Sequence, residues 1–269
     1  MIRNTTGVSL GKLLEDTVYI RRPLEKELDL ITKTLIEIME NISISCNSKW
    51  SFVGGFARDM YLGKPYNDYD ICIQDTEKAK ILLTGMGLLE NSLPEGREVP
   101  HDYYSDPYEF VKKKYPVHFI YADDIGAYAP REFDFTMNQI ALMPDGYFYA
   151  PTYTWRDLDN KKIRMARGTF TVNTLLRAIR FSFKYNFTID EEILKLGKEV
   201  IEEPIDTLLF LRNLRKMIED EVGEQCFNFM KEFGFLEVLD SKTIEECVAL
   251  QQQMIEDGTA VIREHETLY

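Results

Sequence analysis

The segment FVGGFARDMYLGKPYNDYDICI, residues 52–73, contains the clearest structural signals in this chain. An apolar run beginning at Trp50 ends in two glycines, and Phe56–Leu62 then has the pattern of one or two helical turns. Gly63-Lys64-Pro65 interrupts that helix, because glycine and proline both disfavour its continuation. Tyr69–Ile73 follows as an apolar strand. The stretch therefore predicts a strand, a short helix and a second strand in close succession.

Two carboxylates, Asp68 and Asp70, stand two positions apart where the second strand begins. Since side chains alternate across a strand, both project from the same face. Neighbouring carboxylates repel each other unless a cation lies between them, and their oxygens are ligands that suit Mg²⁺. The pair therefore predicts a metal site built from oxygen ligands.

A phosphate-binding turn is predicted just before these carboxylates. Gly54 and Gly55 permit close backbone approach to a phosphate, at the start of a helix whose N-terminus favours anions. Arg58, one turn further on, carries a guanidinium that can clamp a triphosphate. A lone Asp-x-Asp would favour a glycine turn followed by a polar hairpin with no such role. The ordered combination of glycines, arginine and carboxylates favours metal-assisted phosphoryl transfer instead.

Apolar spacing predicts several helices and strands around this segment. Residues 23–42 have an amphipathic helical pattern, with Pro23 suited to the first turn. Val117–Tyr121 reads as a strand, and Val172–Phe183 as a helix with one apolar face. Further helices are predicted downstream, at Glu191–Ile201, Leu208–Val222, Glu224–Phe233 and Thr243–Ile255.

These elements suggest three parts and an α+β fold. Residues 1–44 form an N-terminal helical extension, and residues 45–150 form an α/β head in which a small mixed sheet is flanked by helices. Residues 151–269 form an all-helical neck and a shortened body.

Composition limits the classes of function. The net charge of −13 is unfavourable for binding nucleic acid, although a local basic groove can lie on an acidic body. The four cysteines form no C-x-x-C pair and the chain has three histidines, so any metal should be held by carboxylates. No apolar stretch is long enough to span a membrane, and no signal peptide is evident. We therefore expect a cytoplasmic protein without a membrane partner.

The segment of residues 52–73 resembles the head-domain signature of class II tRNA nucleotidyltransferases (CCA-adding enzymes) and bacterial poly(A) polymerases, in the polymerase-β-like superfamily. That signature reads G-G-x-x-R-D and, about eight residues later, D-x-D. Three further stretches agree with family motifs in the same order: Asp134–Asn138 (DFTMN), Trp155–Arg164 (WRDLDNKKIR), and Leu175–Phe181 (LLRAIRF) followed by Asn186–Asp190 (NFTID).

The resemblance implies a polymerase-β-like head and a role for each matched residue. Asp68 and Asp70 would be the catalytic carboxylates and hold Mg²⁺, for which Mn²⁺ can substitute. Asp134 is as readily structural as catalytic. The remaining implied contacts are with the nucleotide, an ATP and/or CTP: Gly54, Gly55, Arg58, Asp134, Arg177 and Arg180. The last two form a basic stripe with Lys184 opposite the apolar face of their helix, for which a solvated surface is the alternative.

This sequence departs from the family pattern at four positions. The aspartate and arginine that pair with the incoming base in the family correspond to Thr171 and Thr174, which lack arginine's charged fork. Phe133 replaces the arginine before the aspartate of the R-D-F-T motif, where Arg131 is a possible substitute. His118 falls where the superfamily's third carboxylate is expected, and a partly buried core histidine is the simpler interpretation.

Three functions are compatible with these residues. The leading hypothesis is a metal-dependent enzyme that adds nucleotides to an RNA 3′ end, with tRNA as the expected acceptor and with altered base selection. A second keeps the chemistry but transfers the nucleotide to a protein or a small molecule. A third is a degenerate, non-catalytic module that binds RNA or nucleotide. The short helical part makes a tight grip on a whole tRNA less expected, and the sequence does not indicate an oligomeric state.

Overall fold

The computed structural model describes residues 8–9, 18–66, 68–85, 117–122, 133–166, 169–201 and 207–235, together with Glu245 and Ala249. Arg131 and nearly all of the helix predicted at Thr243–Ile255 lie outside the described residues. The chain divides into two compact units. The sheet unit comprises Leu13–Arg156, and the helical unit comprises Met1–Lys12 with Asp157–Tyr269.

Short strands and helices alternate along the described chain. The strands are β1 Val8–Ser9, β2 Tyr19–Pro23, β3 Trp50–Val53, β4 Tyr69–Gln74, β5 Val117–Ala122, β6 Ala141–Leu142, β7 Tyr147–Pro151, β8 Lys162–Ile163, β9 Thr169–Phe170 and β10 Thr188–Ile189. The helices are α1 Leu30–Cys46, α2 Gly54–Leu62, α3 Glu77–Gly85, α4 Thr152–Asp159, α5 Val172–Tyr185, α6 Glu191–Val200, α7 Thr207–Glu219 and α8 Gly223–Glu232.

A mixed six-stranded sheet organises the sheet unit, in the order β2-β7-β6-β3-β4-β5. All neighbouring strands are antiparallel except β4 and β5, which are parallel. In that parallel pair Asp70 lies opposite His118. This register carries a residue from a distant part of the sequence to the predicted metal site.

The first long helix begins later than the sequence predicted. Pro23 belongs to β2, where it pairs with Tyr147, and α1 starts only at Leu30. Asp29 caps α1 because its Oδ1 accepts a hydrogen bond from the amide of Thr32, at 2.7 Å. Proline suits the end of an edge strand as well as a first helical turn, so the prediction of a helix over residues 23–42 was wrong at its start. The predicted apolar face is confirmed at Ile31, Leu35, Ile38 and Ile42.

The succession β3–α2–β4 agrees with the prediction for residues 52–73. Every residue of β3 is buried, and α2 follows without a gap. Phe52, Phe56 and Tyr69 are each at most 1% exposed, and their rings pack against one another at centroid distances of 4.6–6.0 Å. This aromatic cluster fixes the helix between the two strands, with the glycine turn at one end and the carboxylates at the start of β4.

The helical unit contains α5 to α8 and two short strand pairs, β1 with β9 and β8 with β10. Leu175, Leu176 and Ile179 of α5 are fully buried, as predicted. Gly197 of α6 lies against α5, and a methyl group built on it would come within 2.9 Å of Leu175. Such close approach of two helices requires a residue without a side chain.

None of the helices in the described ranges has both the length and the apolarity of a membrane-crossing segment.

Candidate active site

The turn between β3 and α2 lies directly against the predicted metal site. Gly54 has φ +60°, a left-handed conformation that residues with side chains rarely adopt. A methyl group built on it would come within 2.8 Å of the Phe133 ring and 3.3 Å of Oδ2 of Asp70. A methyl group on Gly55 would lie 3.9 Å from the same carboxylate oxygen, which is an ordinary contact. Gly54 is therefore required both by its backbone and by the space it leaves.

Asp68, Asp70 and His118 form one cluster at the beginning of β4 and β5. The Nδ1 atom of His118 lies 3.4 Å from Oδ1 of Asp70 and 3.9 Å from Oδ2 of Asp68. One donor atom from each residue can be chosen so that all three lie within 4.8 Å of one another. The side chain of His118 is 56% exposed and lies beside the two carboxylates, so the interpretation as a partly buried core histidine was wrong.

The environment of Asp68 disfavours its charged form. Burial raises the pKa of Asp68, and the nearby negative charge of Asp70 raises it further. The positive charges of His118 and Arg58 act in the opposite direction but do not cancel this effect. A divalent cation would relieve the repulsion between the two carboxylates, and His118 offers an adjacent nitrogen ligand. The residues therefore fit a metal ion.

Arg58 is held in a buried polar network. It is 5% exposed, and both its Nε and Nη2 atoms lie 2.8 Å from Oδ1 of Asp59. Its Nη1 donates to Oδ1 of Asn138 at 2.6 Å. The amide of Asn138 in turn donates to Oδ1 of Asp134 at 3.3 Å. The network ties α2 to the 3-10 turn Thr136–Asn138, which follows the residue packed on Gly54.

Asp134 is engaged within its own turn. Its Oδ1 accepts from the amide N–H of Phe135 at 3.0 Å as well as from Asn138. These contacts agree with the structural role that the sequence left open for Asp134. The nucleotide contacts expected of Arg58 and Asp134 remain predictions.

Thr171 and Thr174 bond to each other at the start of α5. Thr171 is the N-cap, and its Oγ1 accepts from the amide of Thr174 at 3.3 Å. Oγ1 of Thr174 accepts from the amide of Thr171 at 3.4 Å, and the two hydroxyl oxygens lie 3.1 Å apart. Thr174 is 6% exposed. The two residues thus form a reciprocal capping box that satisfies the first turn of the helix.

The basic stripe on α5 is packed within the helical unit rather than solvated. Asp220 lies 3.6 Å from Nε of Arg180 and accepts a hydrogen bond from Lys184 at 2.7 Å. Arg180 lies 4.9 Å and Arg177 5.7 Å from the centre of the Phe181 ring. The cationic heads therefore face an acid and an aromatic ring of their own unit, and their contact with a nucleotide remains a prediction.

Two contributors to this region were missed by the sequence analysis. Asn138 joins Arg58 to Asp134, and the only signal for it was its place at the end of the DFTMN motif. Phe133 was treated as a loss of arginine, whereas its ring packs against Gly54. A glycine pair that needs a close neighbour could have suggested an aromatic residue here, but not which one.

Comparison with known proteins gives relatives with one kind of name. No model of a known protein family matches. The multifunctional CCA protein of Neisseria gonorrhoeae (strain NCCP11945) is 27% identical over 205 residues, which cover 70% of this chain and 48% of that protein. The CCA-adding enzyme of Staphylococcus epidermidis is 23% identical over 215 residues, covering 70% and 52%. This chain therefore spans about half the length of the curated relatives it matches.

Solved structures share the fold. The Thermotoga maritima CCA-adding enzyme, solved in complex with a tRNA, aligns with a TM-score of 0.63 at 22% identity, covering 81% of this chain and 56% of that one. A CCA-adding enzyme solved with CTP aligns with a TM-score of 0.62 at 23% identity, covering 91% and 63%. This chain is therefore similar in sequence, over 70% of its length, to proteins named multifunctional CCA protein and CCA-adding enzyme, and it shares the fold of solved CCA-adding enzymes.

Proposed function

We propose that this chain catalyses metal-dependent transfer of a nucleotide from an NTP to the 3′ end of an RNA. The observation that carries the proposal is the placement of the Asp68/Asp70 pair against the Gly54 turn. Oδ2 of Asp70 lies 3.3 Å from the position of a methyl group built on Gly54, so a carboxylate that would hold a metal ion lies beside the N-terminus of α2.

The residues divide the work of phosphoryl transfer. Asp68 and Asp70 would hold Mg²⁺ or Mn²⁺, which when bound neutralises the triphosphate and makes the attacking 3′ hydroxyl more acidic. The Gly54-Gly55 turn, at the start of α2, would direct backbone N–H groups to the phosphates beside these carboxylates. The 3′ oxygen forms a bond to the α-phosphorus, the bond from that phosphorus to pyrophosphate breaks, and the hydroxyl proton passes to solvent. Arg58 holds α2 in place through Asp59 and Asn138.

The relatives suggest the substrates. Structures similar to this one were solved with ATP, with CTP, and with a primer tRNA and an ATP analogue. We infer by analogy that ATP and CTP are the nucleotides and that a tRNA is the acceptor.

We further propose that this chain does not read the incoming base through Thr171 and Thr174. Each hydroxyl is engaged with the other threonine and with the first turn of α5. Neither side chain offers the paired donors and acceptors with which a charged aspartate–arginine pair could match a base edge. Selection between ATP and CTP should therefore be weaker than in an enzyme with such a pair, or should depend on other residues.

A 3′-extension assay tests both proposals. The full chain is incubated with Mg²⁺, one labelled NTP at a time, and a tRNA that ends at the position before its CCA. We expect extension that is resolved on a sequencing gel and absent from the Asp68→Asn/Asp70→Asn double variant. No extension with any NTP would refute the proposed activity.

The same assay distinguishes the alternatives. Label transferred to protein instead of RNA would identify a different acceptor. ATP binding without turnover in either Mg²⁺ or Mn²⁺ would identify a non-catalytic module. The observation that favours this outcome is that Arg58 is buried and bonded to Asn138.

A further inference from the structure

We propose that His118 is itself a metal ligand in this site, and that it shifts the site's preference from Mg²⁺ toward Mn²⁺. The inference rests on the proposed function in so far as Asp68 and Asp70 hold the ion. It adds a third ligand and a choice of metal.

The position of His118 is fixed by the sheet. Strands β4 and β5 are parallel, and their register sets His118 directly opposite Asp70. Residues opposite one another on neighbouring strands point to the same face, so the imidazole lies on the carboxylate side of the sheet. Its position is therefore a consequence of strand pairing and does not depend on a loop.

The donor atoms are spaced as ligands of one ion. Nδ1 of His118 lies 3.4 Å from an oxygen of Asp70 and 3.9 Å from an oxygen of Asp68. Octahedral coordination with bonds of about 2.1 Å sets adjacent ligand atoms about 3 Å apart and opposite ones about 4 Å apart. Small side-chain rotations would bring all three atoms to those spacings, and the 56% exposure of His118 leaves its ring room to turn.

The chemistry of the set determines which ion it favours. Mg²⁺ strongly prefers oxygen ligands, whereas imidazole nitrogen is a better ligand for first-row transition ions. Two carboxylates and a neutral imidazole also carry one negative charge fewer than three carboxylates would. This loss of charge weakens the binding of Mg²⁺, the harder cation, more than that of Mn²⁺. Both effects lower the affinity for Mg²⁺ relative to Mn²⁺.

Electron paramagnetic resonance of Mn²⁺ tests the inference without RNA or NTP. The signal of free Mn²⁺ falls as the ion binds, and competition with Mg²⁺ gives the ratio of the Mg²⁺ and Mn²⁺ dissociation constants. This ratio is measured for the wild type and for His118→Asp, which restores an oxygen ligand. His118→Asn keeps a hydrogen-bonding group near Nδ1 without a nitrogen ligand and adds no charge that could disturb folding.

We expect the ratio to fall by about tenfold in both variants, the lower end of what losing a side chain that supports a metal costs. Asp145→Ala, a carboxylate removed from the β6–β7 turn, should leave it unchanged. A ratio within twofold of wild type in both His118 variants would overturn the inference. So would Mn²⁺ binding that persists in the Asp68→Asn/Asp70→Asn variant.

The two proposals fail separately. A chain that extends RNA with an unchanged metal ratio would refute only the role of His118. A chain that never extends RNA but shows the ratio change would refute only the proposed activity.

Discussion

The start of β4, with Asp68 and Asp70, and the first turn of α5 differ in whether their polar side-chain groups are available to a ligand. At the start of β4, Asp68 and Asp70 retain side-chain exposures of 43% and 23%, and the exposed His118 lies beside them. At α5, the hydroxyls of Thr171 and Thr174 are bonded to each other and to the helix backbone. The first region keeps polar groups available, and the second uses its own for helix stability.

With the roles proposed above, the two halves of the family signature would be able to change independently. Phosphoryl transfer needs a metal, room for phosphates and an acceptor, and these requirements concern the sheet unit. Base selection needs donors and acceptors matched to a base edge. With those roles, each requirement would be carried by a different unit, and a helix cap could replace a base-reading pair without altering the carboxylates.

The largest effect should come from removing a site carboxylate. Asp70→Asn keeps the shape of the side chain but loses the charge, and should lower the rate of RNA extension on the order of a thousandfold, because metal stabilisation of the transition state contributes several kcal/mol. Single-turnover extension measures it. Asp145→Ala should retain the wild-type rate, and an Asp70→Asn rate within tenfold of wild type would remove the carboxylates from the mechanism.

The glycine turn gives the next effect. Gly54→Ala strains a backbone at φ +60° and brings a methyl group against Phe133, so it should lower the free energy of unfolding by about 1–3 kcal/mol. Gly55→Ala is the matched control, since its methyl group meets only ordinary contacts inside a helix and should be neutral or slightly stabilising. Urea denaturation measures both.

A double-mutant cycle separates the two causes at Gly54. Adding Phe133→Ala should recover the steric part of the loss and leave the backbone part. Equal stability of Gly54→Ala and Gly55→Ala would show that neither cause operates.

The capping box should have a smaller and purely structural effect. Thr171→Ala should destabilise the protein by about 1 kcal/mol, the usual cost of losing an N-cap, and leave the ratio of ATP to CTP incorporation unchanged. Thermal denaturation and the extension assay measure the two quantities. Thr188→Val, at an exposed strand position, is the control for losing a hydroxyl. A changed incorporation ratio in Thr171→Ala alone would mean that this hydroxyl reads the base.

The smallest effect concerns Asp190, a charged cap in the same unit. Burial alone would raise the pKa of Asp190, but Lys162, the amide of Glu192 and Arg164 outweigh it and lower the pKa below its usual value. A lowered folded-state pKa means that the stabilisation is present above the unfolded-state pKa and is lost as the pH falls through the folded-state pKa. Asp190→Asn retains the cap and should cost less than about 1 kcal/mol at neutral pH.

Denaturation between neutral pH and the acidic range checks this. The difference between wild type and Asp190→Asn should shrink as the pH falls below the ordinary carboxyl range. A difference that stays constant over that range would mean that the ion pairs with Lys162 and Arg164 do not stabilise the fold.

Local patterns in the sequence were sufficient for the core of the sheet unit. The β3–α2–β4 succession is set by an apolar run, two glycines and a Gly-Lys-Pro break within residues 52–73, so every signal lies near its consequence. The start of α1 was mispredicted because Pro23 fits two environments equally well. Asp29, two residues before the first buried helical position at Ile31, was the more reliable signal.

Features that depend on distant residues could not be predicted in the same way. Val117–Tyr121 was identified as a strand, but its sequence does not indicate which strand it pairs with, that the pairing is parallel, or that His118 is exposed. The stripe of Arg180 and Lys184 was read from α5 alone, whereas Asp220, which pairs with it, follows another helix. Helical spacing indicates which side chains share a face, and it does not identify what packs against them.

The parallel pairing of β4 with β5 also bears on the order in which the protein folds. Strands β3 and β4 are joined through one short helix, so Asp68 and Asp70 can take up their positions as soon as that segment collapses. His118 reaches Asp70 only across 48 residues of chain, and closing a long loop is a slow step that precedes the contacts it makes possible. The two carboxylates would therefore be in place before β5 pairs with β4 and brings His118 beside them. A cation already bound to them would favour the correct docking of β5.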